Sequence, residues 1–574
     1  MKMSSLEQAR AWATNPLIDQ HSRKEIQDLI DKNDLLEIEE RFHKDLEFGT
    51  GGIRSILGQG INRINTYTIR KATQALCTEV LAQKVVNPSI CISYDSRRLS
   101  FELAKTAAEV MAGNGIKAFL FKRLNPVAIL SYSVRHHKSQ AGVMITASHN
   151  PPEYNGYKVF WSDGAQVTPP NDQNIINHYY EIVDISSIQF LPFEEGERSG
   201  LIQWVGSELE DLYHKDILSK AIDRDLCALK GNELKIVYTP IHGAGLIPCT
   251  RALSDLGFSD VHVVAEQAAP DGNFPTVKSP NPENPSALKM AVELLEKLKA
   301  DIVMGSDPDT DRLGVAIKSR GEIVYLTGNQ IGLLKLHYIL TQLKKQHKLS
   351  ANSYFVKSIV TTSLQDVIAK KFGVEVYNTL TGFKWICGKM NQIEKSDPSK
   401  QFIFATEESF GYLSHTFARD KDGVSSVSLM AEVALFYKTQ GMDLIDALDK
   451  IYEEFGFSHE SLLSLDYFGI EGQEKISRIM ANFRNMTDNT IAGNPIRCLK
   501  DYSLGIEGLP KSNVLGFFFT NGDQFYLRPS GTEPKIKFYI MIQEHNGTLV
   551  EKKKLALDKT EKLLAFIKAE ADRA

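Results

Sequence analysis

At 574 residues, the chain is too long for one hydrophobic core, because cores stop growing at roughly 250–300 residues. We therefore expect three or four domains. Hydrophobic residues make up 43% and charged residues 24% of the chain, as in ordinary globular proteins. The formal net charge of -5 leaves no basic excess, which argues against a protein that binds nucleic acid or an anionic membrane surface.

The cysteines and the N-terminal segment indicate the compartment. The six cysteines are widely scattered and form no C-x-x-C pair, so neither a zinc site nor a disulfide framework is indicated. Reduced thiols fit a cytosolic protein. The N-terminal segment lacks an unbroken apolar h-region, and no run reaches the roughly 20 apolar residues of a membrane-spanning helix. We expect a soluble, cytoplasmic protein.

Short β-branched runs alternate with helix-length amphipathic stretches through most of the chain. Buried strands are predicted at 90–94, 117–121, 142–145, 234–238, 261–264, 302–304, 354–359 and 402–405. Helices are predicted at 101–112, 286–299, 330–342 and 426–439. The pattern breaks near 194–201, near 318–327 before a helix that begins at 328–329, and near 458–472 before shorter strands and a Lys/Glu-rich terminal helix. The alternation favours stacked α/β units over a single sheet.

The first chemical motif is T-A-S-H-N-P-P at 146–152, directly after a predicted strand. The two prolines prevent the segment from continuing as a helix or a central strand. Ser148 is then presented at the carboxyl end of a strand, where open α/β sheets bind their ligands. The alternative is a loop whose polar side chains satisfy local backbone groups. A Ser–His hydrolase is disfavoured, because neighbouring side chains of an extended chain point apart and G-x-S-x-G is missing.

The second motif is D-P-D-T-D-R at 307–312, directly after the strand predicted at 302–304. Asp307, Asp309 and Asp311 can converge on one hard cation, which prefers oxygen ligands. An EF-hand is excluded, because the sixth and twelfth positions are Arg312 and Lys318 instead of Gly and Glu. The D-x-D-x-T/V pattern of dehalogenase-type phosphatases is excluded by the third aspartate. The alternative is an acidic turn that caps a helix and is neutralised by Arg312.

Two further motifs suit a phosphorylated sugar. The segment L-R-P-S-G-T-E-P-K at 527–535 offers donors for a phosphate group, although a simple β-turn would use the same Pro and Gly. The segment T-E-E-S-F-G-Y at 406–412 offers carboxylates for sugar hydroxyls, although a helix N-cap with first-turn acids would look alike. The G-A-G at 243–245 ends in Pro248 instead of the third glycine of a dinucleotide site, and no P-loop is present.

With these four motifs in this order, the chain resembles the α-D-phosphohexomutase family of phosphoglucomutases and phosphomannomutases, over about Phe48 to Tyr539. It is most similar to the long branch that contains phosphoglucomutase and phosphopentomutase. The segments that indicate this branch are 48–54, 238–243, 381–385 and 407–412.

The resemblance implies three similar mixed α/β domains and a smaller α+β C-terminal domain around a central cleft. The expected domain ranges are 1–205, 206–325, 326–460 and 461–574. They would carry, in that order, the phosphoserine loop, the magnesium loop, the sugar-binding loop and the loop for the non-reacting phosphate.

The resemblance also implies residue roles. Ser148 would carry a phosphate, one oxygen of which would join Asp307, Asp309 and Asp311 around Mg²⁺. Lys158 would be the general acid/base, Arg54 and Arg312 would flank the transferring phosphoryl group, and His149 is a further catalytic candidate. The substrate-binding residues would be Lys384, Glu407 and Ser409 for the sugar, and Arg528, Ser530, Gly531 and Thr532 for the distant phosphate.

Several of these side chains have structural alternatives. Lys158, next to Tyr157 and Phe160, would extend its charge from an apolar face, and Lys384 would pack on Phe383 and Trp385. Arg54 would pair with Asp45 or Glu47, and His149 would only orient its loop. Two departures from the family's pattern are Gly51, where alanine is usual, and R-L-N-P-V at 123–127, where P-T-P is usual.

The implied activity is a magnesium-dependent mutase that converts the 1-phosphate of a hexose, glucose first, into its 6-phosphate, with a catalytic sugar bisphosphate as primer. Its partners would be small phosphosugars, without nucleic acid or membrane, and the chain would be a monomer or a weak homo-oligomer. The alternatives are a phosphopentomutase, a phosphomannomutase, a glucose-1,6-bisphosphate synthase, a phosphoserine hydrolase, and a non-catalytic phosphosugar-binding protein. The motifs leave the preferred sugar open, because pocket shape discriminates a single hydroxyl.

Overall fold

The structure is a computed structural model that describes residues 3–49, 52–467, 469–530 and 535–574. The chain forms two compact units. The first consists of Met1–Tyr325 and Gly411–Glu432, and the second of Leu326–Phe410 and Val433–Ala574.

The strands in the described ranges are β1 (Gly52–Ile56), β2 (Ser89–Tyr94), β3 (Lys117–Phe121), β4 (Ala141–Ile145), β5 (Tyr154–Trp161), β6 (Ile202–Val205), β7 (Ile236–Thr239), β8 (Val261–Val263), β9 (Ile302–Ser306), β10 (Leu313–Ser319), β11 (Glu322–Leu326), β12 (Ser353–Ser358), β13 (Glu375–Thr379), β14 (Gln401–Glu407), β15 (Gly411–Leu413), β16 (Phe457–Asp466), β17 (Thr490–Ile491), β18 (Asn494–Asp501), β19 (Leu515–Phe519), β20 (Gln524–Pro529) and β21 (Lys535–Glu544).

The α-helices in the same ranges are α1 (Ser5–Thr14), α2 (Gln20–Asp31), α3 (Leu35–Phe42), α4 (Thr66–Ala82), α5 (Ser100–Gly113), α6 (Val127–His137), α7 (Asn171–Glu181), α8 (Phe193–Arg198), α9 (Ser207–Leu218), α10 (Arg224–Lys230), α11 (Leu246–Leu256), α12 (Ala265–Ala268), α13 (Lys289–Leu298), α14 (Gly328–Lys345), α15 (Leu364–Lys371), α16 (Phe383–Ser396), α17 (Gly423–Lys438), α18 (Leu444–Phe455), α19 (Gly469–Arg484) and α20 (Leu549–Arg573). None of these helices is both long enough and apolar enough to cross a membrane.

The first sheet of the first unit has the strand order β1-β5-β4-β2-β3-β6. Strands β4, β2, β3 and β6 are parallel, while β5 runs antiparallel to both β4 and β1. Every residue of β2 and β4 is buried, as expected for central strands of a covered parallel sheet. The loop with Ser148 therefore connects two neighbouring strands, β4 and β5, at the edge where the parallel strands end.

The N-terminal helices α1, α2 and α3 were not predicted. They enclose a small apolar cluster of their own that includes Trp12, Ile26 and Phe42 and also Tyr67 of α4. The Tyr67 hydroxyl accepts a hydrogen bond from the Asp19 amide at 2.6 Å and donates one to the Asp19 carboxylate at 2.9 Å. These contacts attach the three helices to α4 of the first unit.

The second sheet of the first unit has the strand order β11-β10-β9-β7-β8. Strand β7 is parallel to β8 and β9, and β10 is antiparallel to β9. The three-aspartate motif is therefore the tight connection between two antiparallel neighbours, Ser306 and Leu313 being directly paired.

In the second unit, β13, β12 and β14 lie side by side as parallel strands. Helix α14 begins at Gly328, as predicted, because Thr327 and Gln330 form a capping box there.

The last sheet of the second unit is antiparallel, with the strand order β16-β21-β20-β19-β18-β17. In sequence, α19 lies between β16 and β17, and the 25-residue helix α20 follows β21. The predicted fold class, three mixed α/β domains followed by a smaller α+β C-terminal domain, is confirmed.

Candidate active site

Ser148 has an uncommon backbone conformation. Its φ of 52° lies in the left-handed region, which costs a residue with a side chain about 1–3 kcal/mol and is concentrated at functional sites. The Ser148 amide donates to the Thr146 hydroxyl at 2.7 Å, and the residue is 2% exposed. The turn after β4 thus fixes the direction of one buried serine hydroxyl.

The side chain of Arg97, which was not predicted, binds the backbone of this turn. Its guanidinium donates to the carbonyls of Ser148 at 2.6 Å, Pro151 at 2.8 Å and Tyr154 at 2.9 Å, and also to that of Asn150. One fully buried side chain therefore determines the path of the whole loop.

Asp95, also unpredicted, supports both Arg97 and the loop. Its carboxylate lies 3.6 Å from Arg97 Nε and accepts a hydrogen bond from the Thr146 hydroxyl at 2.6 Å. The only signal in the sequence is Y-D-S-R at 94–97, an acid and a base at the end of a predicted strand.

The three aspartates are fully or almost fully buried and converge. One oxygen of each of Asp307, Asp309 and Asp311 lies within 4.8 Å of the others. The amides of Asp311 and Arg312 both donate to Asp307 Oδ1 at 3.0 Å. Oδ1 of Asp309 and of Asp311 is buried without a hydrogen-bond partner among the described residues. Buried carboxylate oxygens of this kind are the ligands a hard divalent cation needs, so the residues present fit a metal.

The crowding of these carboxylates separates their proton affinities. The pKa of Asp307 is raised well above its usual range by burial and by the charges of Asp311 and Asp309. Burial acts in the same direction on Asp311, but the cations of Lys421, Lys158 and Arg312 outweigh it and lower the pKa of Asp311. Three cationic side chains thus act on Asp311.

Ser148 points into this triad. Its hydroxyl donates to Asp307 Oδ2 at 2.9 Å, and Oγ is also 3.2 Å from His149 Nδ1. The expectation that Ser148 and His149 point apart is wrong, because it assumed an extended chain and Ser148 has a positive φ. Burial, together with the charges of Arg312 and Arg54, lowers the pKa of His149, so its imidazole is neutral.

Lys158 joins the serine loop to the aspartate loop. It lies on β5, opposite Met144 of β4 and Gly52 of β1, and is 3% exposed. Its Nζ donates to Asp309 Oδ2 at 2.6 Å and to Asp311 Oδ2 at 3.4 Å. The structural alternative, a lysine that extends its charge to solvent, does not describe this side chain.

A second lysine at the triad, Lys421, was missed. Its Nζ lies 3.1 Å from Asp311 Oδ2, in the segment between β15 and α17. The Gly423 amide donates to the Thr310 carbonyl at 2.9 Å, which ties this segment to the aspartate loop. The charged run R-D-K-D-G at 419–423, between apolar segments, was the available signal.

The two arginines that were predicted to flank the transferring phosphoryl group differ in their surroundings. Arg312 forms an ion pair with Glu283 and lies 3.9 Å from Asp311 Oδ1. Arg54 lies on β1 opposite Gly156 and is exposed.

The acids suggested as structural partners of Arg54 are paired elsewhere. Asp45 lies 2.8 Å from Lys71, and Glu47 lies 2.7 Å from Lys44. The Arg54 charge acts instead on His149 and Arg97. Gly51, the departure noted before it, lies outside the described residues.

In the second unit, Glu407 ends β14 and is 4% exposed. Its Oε1 accepts a hydrogen bond from the Gly382 amide at 2.6 Å, which brings the 381–385 segment to the predicted sugar loop. Lys384 follows in α16, with Nζ 4.8 Å from the centre of the Trp385 ring. The structural alternative for Lys384, packing on an aromatic ring, is thus present beside its candidate site.

Ser409 and Arg528, which were predicted, lie in the same unit as Glu408, which was not predicted as a site residue. Glu408 accepts hydrogen bonds from the hydroxyls of Ser358 at 2.9 Å and Thr361 at 3.2 Å. Burial raises the pKa of Glu408, and the hydrogen bond from Ser358 and the positive charge of Arg528 act against it. Ser409 follows Glu408 and is half-buried.

The C-terminal phosphate motif is described only in part. The Ser530 amide donates to the Lys535 carbonyl at 2.8 Å, which places the motif at the connection of β20 and β21. Gly531 and Thr532 lie outside the described residues.

Family models match most of the chain. They are described as phosphoglucomutase/phosphomannomutase, alpha/beta/alpha domains I, II and III, and match residues 45–184, 211–321 and 327–455. A phosphoglucomutase of Staphylococcus epidermidis is 35% identical over 94% of this chain and 98% of its own. A phosphoglucomutase of Staphylococcus aureus is 37% identical over 88% of this chain and 91% of its own.

Solved structures support the fold. Parafusin, a phosphoglucomutase from Paramecium, has a TM-score of 0.65 at 17% identity and covers 90% of this chain and 96% of its own. A phosphoglucomutase/phosphomannomutase family protein from Burkholderia thailandensis has a TM-score of 0.62 at 17% identity, over 91% and 97%. The chain belongs to the α-D-phosphohexomutase family of phosphoglucomutases and phosphomannomutases.

Proposed function

We propose that this chain is a phosphosugar mutase that carries a phosphoryl group on Ser148 and interconverts glucose 1-phosphate and glucose 6-phosphate. The observation that carries the proposal is the hydrogen bond of 2.9 Å from the Ser148 hydroxyl to Asp307, inside a buried three-carboxylate cluster. The relatives named phosphoglucomutase, which match nearly the whole chain, support glucose as the sugar.

The aspartate loop is the proposed magnesium site. Asp307, Asp309 and Asp311 would hold Mg²⁺, which prefers a few carboxylates and leaves room for a phosphate oxygen. When bound, the ion supplies positive charge next to the phosphate on Ser148. Oδ1 of Asp309 and Oδ1 of Asp311, which accept no hydrogen bond from any residue in the described ranges, support this assignment.

The proposed reaction consists of two transfers. First, the bond from phosphorus to Ser148 Oγ breaks, while a bond forms from phosphorus to the free hydroxyl oxygen of a sugar monophosphate. Lys158, acting as the uncharged amine, takes up the hydroxyl proton and becomes the ammonium ion. The other phosphate of the resulting bisphosphate then returns to Ser148, and the same proton goes back to the sugar oxygen that is released. The isomeric monophosphate leaves, and the serine is phosphorylated again.

Positioning and charge carry most of the catalysis of phosphoryl transfer. In the first unit, Arg312, Arg54 and Lys421 supply positive charge, and neutral His149 next to Ser148 Oγ orients the loop. In the second unit, we assign the sugar to Lys384, Glu407 and Ser409. The phosphate that does not react is assigned to Arg528, Ser530, Gly531 and Thr532. A free sugar bisphosphate would prime the unphosphorylated enzyme.

A substrate panel tests the proposal. The protein is assayed with Mg²⁺, glucose 1,6-bisphosphate and, separately, glucose 1-phosphate, mannose 1-phosphate and ribose 1-phosphate. We expect the largest kcat/KM with glucose 1-phosphate, no net release of inorganic phosphate, and no turnover in Ser148→Ala. The exposed Ser199→Ala is the matched control and should keep full activity.

Other results identify the alternatives. Preference for ribose or mannose 1-phosphate would identify a phosphopentomutase or phosphomannomutase, and phosphate release without isomerisation would identify a hydrolase. Turnover by Ser148→Ala would refute the phosphoserine mechanism.

A further inference from the structure

The aspartate loop adopts a backbone conformation that needs support from outside the loop. Thr310, between Asp309 and Asp311, has a φ of 53°, which is unfavourable for a β-branched residue. Such a conformation persists only where surrounding contacts fix it. Two amides from distant segments bond to the middle of the loop. The Val127 amide donates to the Asp309 carbonyl at 3.0 Å, and the Gly423 amide donates to the Thr310 carbonyl at 2.9 Å.

Helix α9 contacts both of the segments that supply these amides. Glu210 and Tyr213 lie three residues apart on this helix and therefore share one of its faces. Glu210 is 3% exposed and Tyr213 is fully buried, so this polar face is directed into the first unit. One helix thus carries a buried carboxylate and a buried hydroxyl next to the two supports of the aspartate loop.

Glu210 fixes the segment that precedes α6. Arg123 Nε and the Asn125 side-chain amide both donate to Glu210 Oε1 at 3.0 Å, and Arg123 also forms an ion pair with the other carboxylate oxygen. The Asn125 backbone amide donates to the Tyr94 carbonyl at 3.1 Å. Asn125 lies two residues before Val127, so these bonds determine where the Val127 amide meets the aspartate loop.

Tyr213 fixes the segment that precedes α17, through Asp422. The Tyr213 hydroxyl lies 2.8 Å and 2.7 Å from the two carboxylate oxygens of Asp422, and His415 Nε2 lies 2.6 Å from Oδ2. The amides of Val424 and Ser425 donate to Asp422 Oδ1 at 2.9 Å and 3.1 Å. Burial raises the pKa of Asp422, but hydrogen bonds, including those from His415 and Tyr213, outweigh it and lower this pKa. The buried carboxylate is therefore ionised and fully used.

Asp422 lies between the two residues of its segment that contact the aspartate loop. On one side, Lys421 Nζ lies 3.1 Å from Asp311 Oδ2. On the other side, Gly423 carries the amide that donates to the Thr310 carbonyl. A displacement of the Asp422 carboxylate would therefore move both contacts together.

We propose that Glu210 and Tyr213 of α9 are positioning residues for the cation site, because each fixes one segment that bonds to one carbonyl of the aspartate loop. Loss of a group that orients a metal ligand directly lowers metal affinity by about 10–100-fold, and these two side chains act one step further out, so we expect an effect of about fivefold from each. The inference rests on the proposed cation site and is independent of the sugar and of a phosphate on Ser148.

The first test is the affinity of the full chain for Mn²⁺, measured by electron paramagnetic resonance titration without sugar. Tyr213→Phe removes one hydroxyl, and Glu210→Gln removes one charge. Each variant should bind Mn²⁺ about fivefold more weakly. The double variant should bind about 25-fold more weakly, because the free-energy effects of independent sites add. Arg123→Met, which breaks the same contact from its partly exposed side, replaces Glu210→Gln if that variant does not fold.

The matched control is Tyr132→Phe, which removes a hydroxyl that donates to Asp216 of the same helix at 2.7 Å. It should bind Mn²⁺ like the wild-type protein. Wild-type affinity in Tyr213→Phe or in Glu210→Gln would overturn the role of that residue, and equal weakening in Tyr132→Phe would overturn both roles. A wild-type protein that binds no Mn²⁺ would refute the proposed cation site itself, and the inference with it.

Hydrogen exchange of the metal-free protein, followed by mass spectrometry, tests which segment each residue fixes. In Glu210→Gln, the peptide that contains Val127 should exchange about fivefold faster, and the peptide that contains Gly423 should be unchanged. Tyr213→Phe should show the reverse. Faster exchange of both peptides in both variants would mean that the two side chains only stabilise α9, which would overturn their assignment as positioning residues.

Discussion

The left-handed backbone of Ser148 explains how one residue can reach two partners. In an extended strand, Ser148 and His149 would point to opposite sides. With a φ of 52°, Ser148 Oγ instead lies 2.9 Å from Asp307 and 3.2 Å from His149. Arg97 stabilises this strained turn by donating hydrogen bonds to four loop carbonyls. The serine is thereby preorganised towards the cation site.

Lys158 is predicted to exchange a proton and not only to neutralise the triad. Lys158→Met should lower kcat by about 10²–10⁴-fold, the usual contribution of general acid–base catalysis. Lys158→Arg keeps the charge but cannot give up its proton, so it should be nearly as inactive. Steady-state kinetics with glucose 1-phosphate measure both effects.

The control for these variants is Lys105→Met, which removes a lysine that lies over the Phe193 ring, 4.3 Å from its centre. It should retain normal kcat. Full activity in Lys158→Arg would mean that the residue supplies charge alone.

Arg97 is predicted to be a positioning residue. Arg97→Met removes all four loop contacts and should lower kcat by about 100-fold with little change in KM, because the serine loses its orientation. Thermal unfolding should show a loss of stability as well. Arg98→Met, at the neighbouring position, loses one contact to the Pro152 carbonyl and should have normal kcat. A variant of Arg97 that is destabilised but has normal kcat would show that the clamp is only structural.

At the scale of elements, the start of α17 is fitted closely to the aspartate loop. A Cβ on Gly423 would lie 2.5 Å from the Thr310 carbonyl oxygen, so Gly423→Ala must displace the loop or the helix. We expect cation affinity to fall about tenfold, as when groups that support metal ligands are changed. Mn²⁺ titration measures this affinity.

The matched control is Gly388→Ala in α16, where a Cβ would meet nothing within 4 Å. It should leave cation affinity unchanged and stabilise the helix by up to about 1 kcal/mol. Normal cation affinity in Gly423→Ala would show that the close contact with Thr310 is not needed to keep the aspartate loop in its cation-binding conformation.

The central strands and the four motifs could be predicted from the sequence, because buried parallel strands are continuous apolar runs and the motifs follow their ends. The N-terminal helices α1 to α3 could not, because their apolar residues are few and pack in a separate small cluster. Arg97 and Lys421 were missed for another reason. Each acts on residues distant in sequence, and the short charged runs that contain them, Y-D-S-R and R-D-K-D-G, resemble ordinary surface charge.

At the scale of the whole molecule, the proposed roles divide between the two units. The described first unit holds the serine, the aspartates and the two lysines, whereas the second holds the residues proposed for the sugar and the distant phosphate. Family and fold class, predicted from motifs in both units, are confirmed. The four domain ranges and the residue roles stay predictions.

The central claim is that Ser148 carries a phosphate between turnovers. The most direct measurement is peptide mapping by mass spectrometry after incubation with Mg²⁺ and glucose 1,6-bisphosphate, and again after an excess of glucose 6-phosphate is added. We predict one phosphate, on Ser148, that is lost to the sugar in the second step. A Ser148 that stays unmodified, or a phosphate on Ser148 that glucose 6-phosphate does not remove, would contradict the account.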